Sequence, residues 1–228
     1  MNSHGHLLPT LIHEQRLWRE GYRRVAGLDE AGRGAWAGPV VAAAVILPPD
    51  DPELCLRLKG VRDSKTLTAA RRSALLEVIQ QHALAWGIGT VSPAEIDEFG
   101  IVCATRKAMA LALLALSSPA DYLLIDHLTL PDLLFPQYNL PKGDVHILSI
   151  AAASIVAKVS RDRMMIDLDT RFPGYGFCQH KGYGTEQHQR ALATLGPSAQ
   201  HRLSFAPLRH FAADGCHSAA VKPVEQAV

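Results

Sequence analysis

Short apolar runs closed by glycine, proline or an acid alternate along the chain with stretches of helical spacing. Val25-Ala26-Gly27-Leu28 predicts a first strand that runs to the carboxylates Asp29 and Glu30. Gly38 to Leu47 predicts a second, almost wholly apolar, stopped by Pro48-Pro49 and expected to be buried on both faces. Ala83 to Val91 predicts a third, and Tyr122-Leu123-Leu124-Ile125 a fourth that ends in Asp126.

Helical spacing follows Thr68, a candidate N-cap, through Leu75, Leu76 and Ile79. Ser92-Pro93 reads as a second helix start, with Glu95 one turn in and Gly100 as its stop. An Ala/Leu-rich helix is expected over about 102–116. The longest helix is expected over 149–169, where small residues at helical spacing allow close approach to a sheet. Thr185 caps another, a short helix precedes the first strand at 16–22, and Pro131 to Pro141 reads as irregular, proline-studded chain. The order strand, strand, strand, helix, strand, helix fits an α/β fold, a mixed sheet with a leading antiparallel meander and helices on both faces. Residues 1–14 and 213–228 are expected to be flexible tails around one domain over 15–212, with a small C-terminal helical extension.

Composition narrows the function classes. At 228 residues with 48% hydrophobic content the chain can bury a substantial core, and no stretch approaches a membrane span. Its formal charge of +1 leaves any nucleic-acid surface to a local basic patch. Cys55, Cys103, Cys178 and Cys216 form no C-x-x-C pair, which argues against a zinc ribbon or a disulfide scaffold and for reduced thiols in the cytoplasm. The N-terminus lacks the pattern of a signal peptide.

The candidate chemistry lies at the strand ends. In Gly27-Leu28-Asp29-Glu30-Ala31-Gly32-Arg33-Gly34, adjacent acids precede a turn whose glycines let backbone N–H groups approach an anion that Arg33 can neutralise. Taken alone, the octapeptide reads more readily as a solvated strand end. Asp126 and Asp144 add two more acids that end or follow short apolar stretches. Four gathered carboxylates raise one another's proton affinity unless divalent cations intervene, and oxygen-only ligands favour Mg²⁺ or Mn²⁺. Asp162, Asp167 and Asp169, among Arg161, Arg163 and Arg171, read as a solvated helix face with ion pairs. His180 and His188 lack companions for a zinc site.

Jointly, the octapeptide, Asp63-Ser64-Lys65, Ile125-Asp126, Gly143-Asp144 with Ser149 to Lys158, and Lys181-Gly182-Tyr183-Gly184-Thr185 resemble bacterial ribonuclease HII over roughly residues 20–210. The resemblance implies a ribonuclease H-like fold. It also implies an endonuclease that cuts the RNA strand of RNA–DNA hybrids and nicks 5′ of ribonucleotides embedded in duplex DNA, leaving 5′-phosphate and 3′-hydroxyl ends. Asp29, Glu30, Asp126 and Asp144 would be the metal-binding carboxylates, holding two Mg²⁺ or Mn²⁺ ions with substrate bound. Gly32, Arg33 and Gly34 would grip the ribonucleotide through its 2′-hydroxyl and phosphate. Tyr183 would sit against the sugar, and Ser64, Lys65 and Lys181 would lie along the flanking phosphates. A monomer is expected. Two positions depart from the family pattern: His127 stands where glycine is usual, and Ala35-Trp36 where proline or cysteine and leucine are usual. His127 is expected to point outward, and Trp36 to be core or rim. A resolvase or exonuclease of the same fold class, or a silent hybrid-binding module, are the competing readings.

Overall fold

The computed structural model describes residues 8–209 and residue 211. Five strands, β1 (Val25–Ala31), β2 (Val40–Ile46), β3 (Ala85–Val91), β4 (Tyr122–Asp126) and β5 (Gln137–Leu140), form one sheet in the order β3-β2-β1-β4-β5. β1 runs antiparallel to β2 and parallel to β4, and β5 runs parallel to β4, so the sheet is mixed as expected. All seven residues of β2 are buried, as an uninterrupted apolar strand requires. The helices are α1 (Ile12–Arg19), α2 (Leu54–Arg57), α3 (Ala69–His82), α4 (Pro93–Leu114), α5 (Gly143–His146), α6 (Leu148–Arg171), α7 (Phe177–His180) and α8 (Glu186–Leu195). Among the described residues no helix is long and apolar enough to cross a membrane.

Local signals act where the sequence places them. The Thr68 hydroxyl accepts from Arg71 N at 3.2 Å to cap α3, and that of Thr185 accepts from His188 N at 3.3 Å to cap α8. Ser92 and Glu95 form a reciprocal capping box at the start of α4, and Gly100, with φ of 78°, breaks that helix internally.

The chain divides into two compact units. The first takes its residues from Met1–Ala31, Val41–Thr90 and Arg106–Val159, and its core joins β2 side chains to Leu75, Leu76 and Ile79 of α3 and to the Ala151–Ala153 run of α6. Gly27 explains how α6 comes so near. A Cβ there would lie 2.3 Å from Ser149 C and 2.5 Å from Ile150 N, so only glycine lets the helix backbone rest on β1. The second unit takes Gly32–Val40, Val91–Thr105 and Ser160–Val228, with a core of Ala37, Met165, Leu168, Phe172, Tyr175 and Phe177.

Three expectations are corrected. Gln137–Leu140, inside the supposedly irregular stretch, is an edge strand; its Gln-Tyr-Asn-Leu sequence carries no alternating apolar face, and backbone pairing with β4 holds it. The Gln137 side chain adds bonds to both the N–H and the carbonyl of Leu130. Within the expected N-terminal tail, α1 begins at Ile12, Thr10 pairs with Ile147, and Glu14 is fully buried, its Oε1 accepting from Ser149 N at 2.8 Å. Residues 1–7 and 213–228 of the expected tails lie outside the described residues. Finally, β1 does not stop at the paired acids but runs one residue further, to Ala31. Its register with β2 stays regular through Asp29↔Ala43, Glu30↔Ala42 and Ala31↔Val41, whereas its pairing with β4 stops at Leu28↔Ile125.

Candidate active site

Three acids come together in the first unit because the paired strands β1 and β4 carry two of them near their ends and α5 begins beside the end of β4. Asp29 stands on β1 beyond the last β4 pairing, 6% exposed, with one carboxylate oxygen accepting from Glu30 N at 2.7 Å. Asp126 is the last residue of β4, and its Oδ1 accepts from Gly143 N at 2.8 Å. That bond ties the strand end to α5, which carries Asp144 at 4% exposure. Lys65 Nζ reaches to 3.8 Å from Asp144 Oδ2.

The electrostatics report the crowding. Burial, then the charges of Glu30, Asp126 and Asp144, hold the Asp29 carboxyl well above the usual carboxylate range. Burial, then Asp63 and Asp126, push Asp144 up to about 6 against the opposing pull of Lys65. Burial works against the Lys65 charge, yet Asp144, Asp29, Asp63 and Asp126 raise its pKa overall. Glu30, on the other parity of a regular strand, remains the strongest carboxylate influence on Asp29.

Asp63 is the acid that sequence reasoning passed over. It caps the 3-10 turn at Ser64–Thr66 by accepting from Lys65 N at 2.9 Å, and after burial its charge is the strongest influence raising the Asp144 pKa. Its place in Asp63-Ser64-Lys65 was the available signal. Ser64, in contrast, is 5% exposed, with its N–H on Ser154 Oγ and its carbonyl accepting from Arg72.

An all-oxygen, mutually repelling donor set suits a hard divalent cation. Among the described residues no group of three His, Cys, Asp or Glu side chains closes to ion-holding geometry, so these acids face one another at electrostatic range.

His127 follows Asp126 with φ of 62° and is exposed. The left-handed backbone accounts for the glycine usual at this position, and the outward orientation agrees with expectation.

Gly32, Arg33, Gly34, Lys181 and Tyr183 all belong to the second unit. Gly32 has φ of 89° and is buried, whereas Gly34 is exposed with nothing within 4 Å of a Cβ position. Lys181 bends its backbone to φ of 53° and its ammonium donates to the Cys178 carbonyl. Tyr183 is 38% exposed. The Trp36 ring packs across Gly184 and 5.7 Å from His188, a rim position as anticipated.

Behind the tyrosine lies a buried histidine chain. His188 Nδ1 is 3.0 Å from the Tyr183 carbonyl and must donate to it, so Nε2 accepts, at 3.0 Å, from His201 Nε2. His201 Nδ1 then accepts from Ser198 N at 2.9 Å. Burial first, with like-charged imidazole neighbours adding to it, pushes His188 down to about 4 and His201 to about 3. Both rings are neutral and serve as hydrogen-bond donors and acceptors. Arg161, expected on a solvated face, is fully buried, as is Arg202.

Comparison with known proteins is consistent with this geometry. A family model described as ribonuclease HII matches residues 26–208. The chain is 54% identical over 217 residues to ribonuclease HII of Roseiflexus castenholzii, covering 94% of this chain and 96% of that one. It is 55% identical over 205 residues to that of Chloroflexus aurantiacus, covering 89% and 95%. Among solved structures it resembles ribonuclease H2 of Pyrococcus horikoshii, with a TM-score of 0.69, 25% identity, and coverage of 84% of this chain and 98% of that chain.

Proposed function

Because the chain belongs to the ribonuclease HII family, we propose that it is a divalent-metal-dependent endonuclease acting on the RNA strand of RNA–DNA hybrids and 5′ of single ribonucleotides in duplex DNA. The products are a 5′-phosphate on the ribonucleotide side and a 3′-hydroxyl upstream. The observation that carries this reading is the convergence of Asp29, Asp126 and Asp144 from β1, β4 and α5, with raised proton affinities at Asp29 and Asp144.

Asp29, Glu30, Asp126 and Asp144 are the residues that hold Mg²⁺ or Mn²⁺. When bound, the metal supplies Lewis-acid activation of water and charge neutralisation at the phosphate. Gly143 N fixes the Asp126 carboxylate, and Asp63 caps the turn that carries Lys65. Lys65, already drawn to the acids, is the cation for a phosphate beside the cut. In the second unit, backbone donors of Gly32-Arg33-Gly34 meet the 2′-hydroxyl, the one group that separates ribose from deoxyribose, and the Tyr183 ring lies against a sugar. Lys181 lies along a flanking phosphate.

The test uses three matched duplexes: all-DNA, DNA with one ribonucleotide, and full hybrid, each with Mg²⁺ and with Mn²⁺. The wild-type protein should cut the second and third and leave the first intact. Asp29→Asn or Asp126→Asn should abolish cutting while duplex binding persists. Cleavage of the all-DNA duplex points to a resolvase or exonuclease instead, and full activity in either variant refutes the assignment of the carboxylates.

A further inference from the structure

Two arginines with no assigned part in the reaction are the largest fully buried side chains among the described residues. Both send their N–H groups to main-chain carbonyls of the second unit. Arg161 donates from Nε to Pro39 O at 2.9 Å, from Nη2 to Ala37 O at 3.1 Å and from Nη1 to Lys181 O at 2.9 Å, and its guanidinium carbon lies 5.6 Å from the Tyr183 ring centroid. Arg202 donates from Nε and Nη2 to Gly38 O at 3.0 and 2.8 Å, and from Nη1 to Arg33 O at 3.1 Å.

The pattern dictates where the amides of the turn point. In a trans peptide the carbonyl and the following N–H point opposite ways. Drawing the Arg33 carbonyl inward to Arg202 therefore turns the Gly34 N–H outward, on a residue whose surroundings are open. The amides that follow are already spent: Ala35 N on Gly32 O, Trp36 and Ala37 N on Gly182 O, and Gly38 N on Gln200 O. Gly32 is glycine because a Cβ would meet Arg161 Nε at 1.8 Å, so turn and guanidinium are fitted to each other.

The cost of this arrangement argues for a purpose. Burial lowers the pKa of both groups; the Arg161 charge adds to the effect on Arg202, which falls to about 9. Apolar side chains would fill the same volume without that penalty. They would not supply a planar fork of donors that holds several carbonyls at fixed angles, and lysine, a point charge, would not either.

We infer that Arg161 and Arg202 are positioning residues for ribose recognition: they hold the 33–39 turn and the 181–183 loop so that the Gly34 N–H faces the 2′-oxygen. The inference rests on the function proposed above. Neither arginine touches substrate.

The experiment measures binding by fluorescence anisotropy without divalent metal, comparing a single-ribonucleotide duplex with its all-DNA counterpart. The readout is the ratio of the two affinities for wild type, Arg161→Lys, Arg202→Lys and Gly34→Pro, which deletes the N–H while leaving both arginines in place. Loss of one well-placed hydrogen bond corresponds to about tenfold in that ratio, with all-DNA binding held within about twofold. A general structural weakening lowers both affinities together and preserves the ratio. A folded lysine variant that keeps the wild-type ratio overturns the inference. So does a Gly34→Pro protein that keeps it, whether or not the lysine variants fold. A wild-type ratio near one overturns the functional reading itself, an outcome separable from retention of the ratio in the variants.

Discussion

Gly27→Ala tests whether the distance between β1 and α6 is set by a missing methyl group. The added Cβ would lie 2.3 Å from Ser149 C, 2.5 Å from Ile150 N and 2.6 Å from Ser149 Cβ. Carbon atoms in favourable contact stand about 3.5–4.0 Å apart, so strand and helix must separate by roughly 1 Å or more. The nearest two atoms belong to the backbone of α6 and cannot rotate away. Overpacking of a filled core typically costs about 1–3 kcal/mol, and a main-chain clash belongs at the upper end. For a protein of this size, about 3 kcal/mol corresponds to a fall in Tm of roughly 6–12 °C. Circular dichroism melts and urea titrations of wild type and variant read the loss directly. Gly34→Ala is the control, since a Cβ there meets nothing within 4 Å and stability should stay within about 0.5 kcal/mol. Cleavage should fall in Gly27→Ala even below its melting temperature, because Asp29 lies two residues further along the same face of β1. An unchanged Tm would refute the close-packing argument.

Burial raises the Glu14 pKa above its ordinary 4.5 while Oε2 has no hydrogen-bond partner among the described residues, so its contribution is present below that value and lost as pH rises through the folded-state pKa. Glu14→Gln should therefore be at least as stable as wild type at neutral pH and lose that advantage in acid, as read from Tm against pH. Asp144, raised to about 6, likewise costs stability as pH rises through that value. Mn²⁺ should raise Tm more above pH ~7 than below pH ~5, and Asp144→Asn should shrink the gain; a gain independent of pH would count against the carboxylates as the metal site. His188 and His201, lowered from 6.5 to about 4 and about 3, contribute stability that is present above 6.5 and lost as pH falls through that window. His201→Gln should flatten the acid limb of the stability curve and cost on the order of 1–3 kcal/mol at neutral pH, by leaving partners of the chain unsatisfied.

The residues that were legible in the sequence share one property: their surroundings are set by near neighbours. Apolar runs stopped by an acid marked β1 and β4, and Thr68, Ser92, Gly100 and Thr185 act within one helical turn. Asp29, Asp126 and Asp144 were findable because an acid at the end of an apolar strand is a local pattern, even though only the sheet order brings them together. β5 was not legible, because an edge strand held by backbone pairing needs no hydrophobic alternation.

Glu14, Arg161 and Arg202 fail for a different reason. A charged side chain is buried only when distant backbone meets its hydrogen-bonding needs, and the partners here are 135 residues away for Glu14, up to 124 for Arg161 and up to 169 for Arg202. No window along the chain contains that information, so such residues default to solvated positions. The glycines offer a partial remedy. Gly27, Gly32 and Gly38 sit where a Cβ would strike α6, and at Gly32 and Gly38 the nearest atoms belong to Arg161 and Met165. A glycine that keeps recurring beside an apolar strand is thus a sequence-level sign that something large approaches closely. In this chain, at Gly32, the approaching group is a buried cation. That ties the Gly-Arg-Gly turn to Arg161 as one physical unit: substituting Gly32 by alanine and Arg161 by lysine should give non-additive losses of ribose discrimination, and strict additivity would mean that the two act separately.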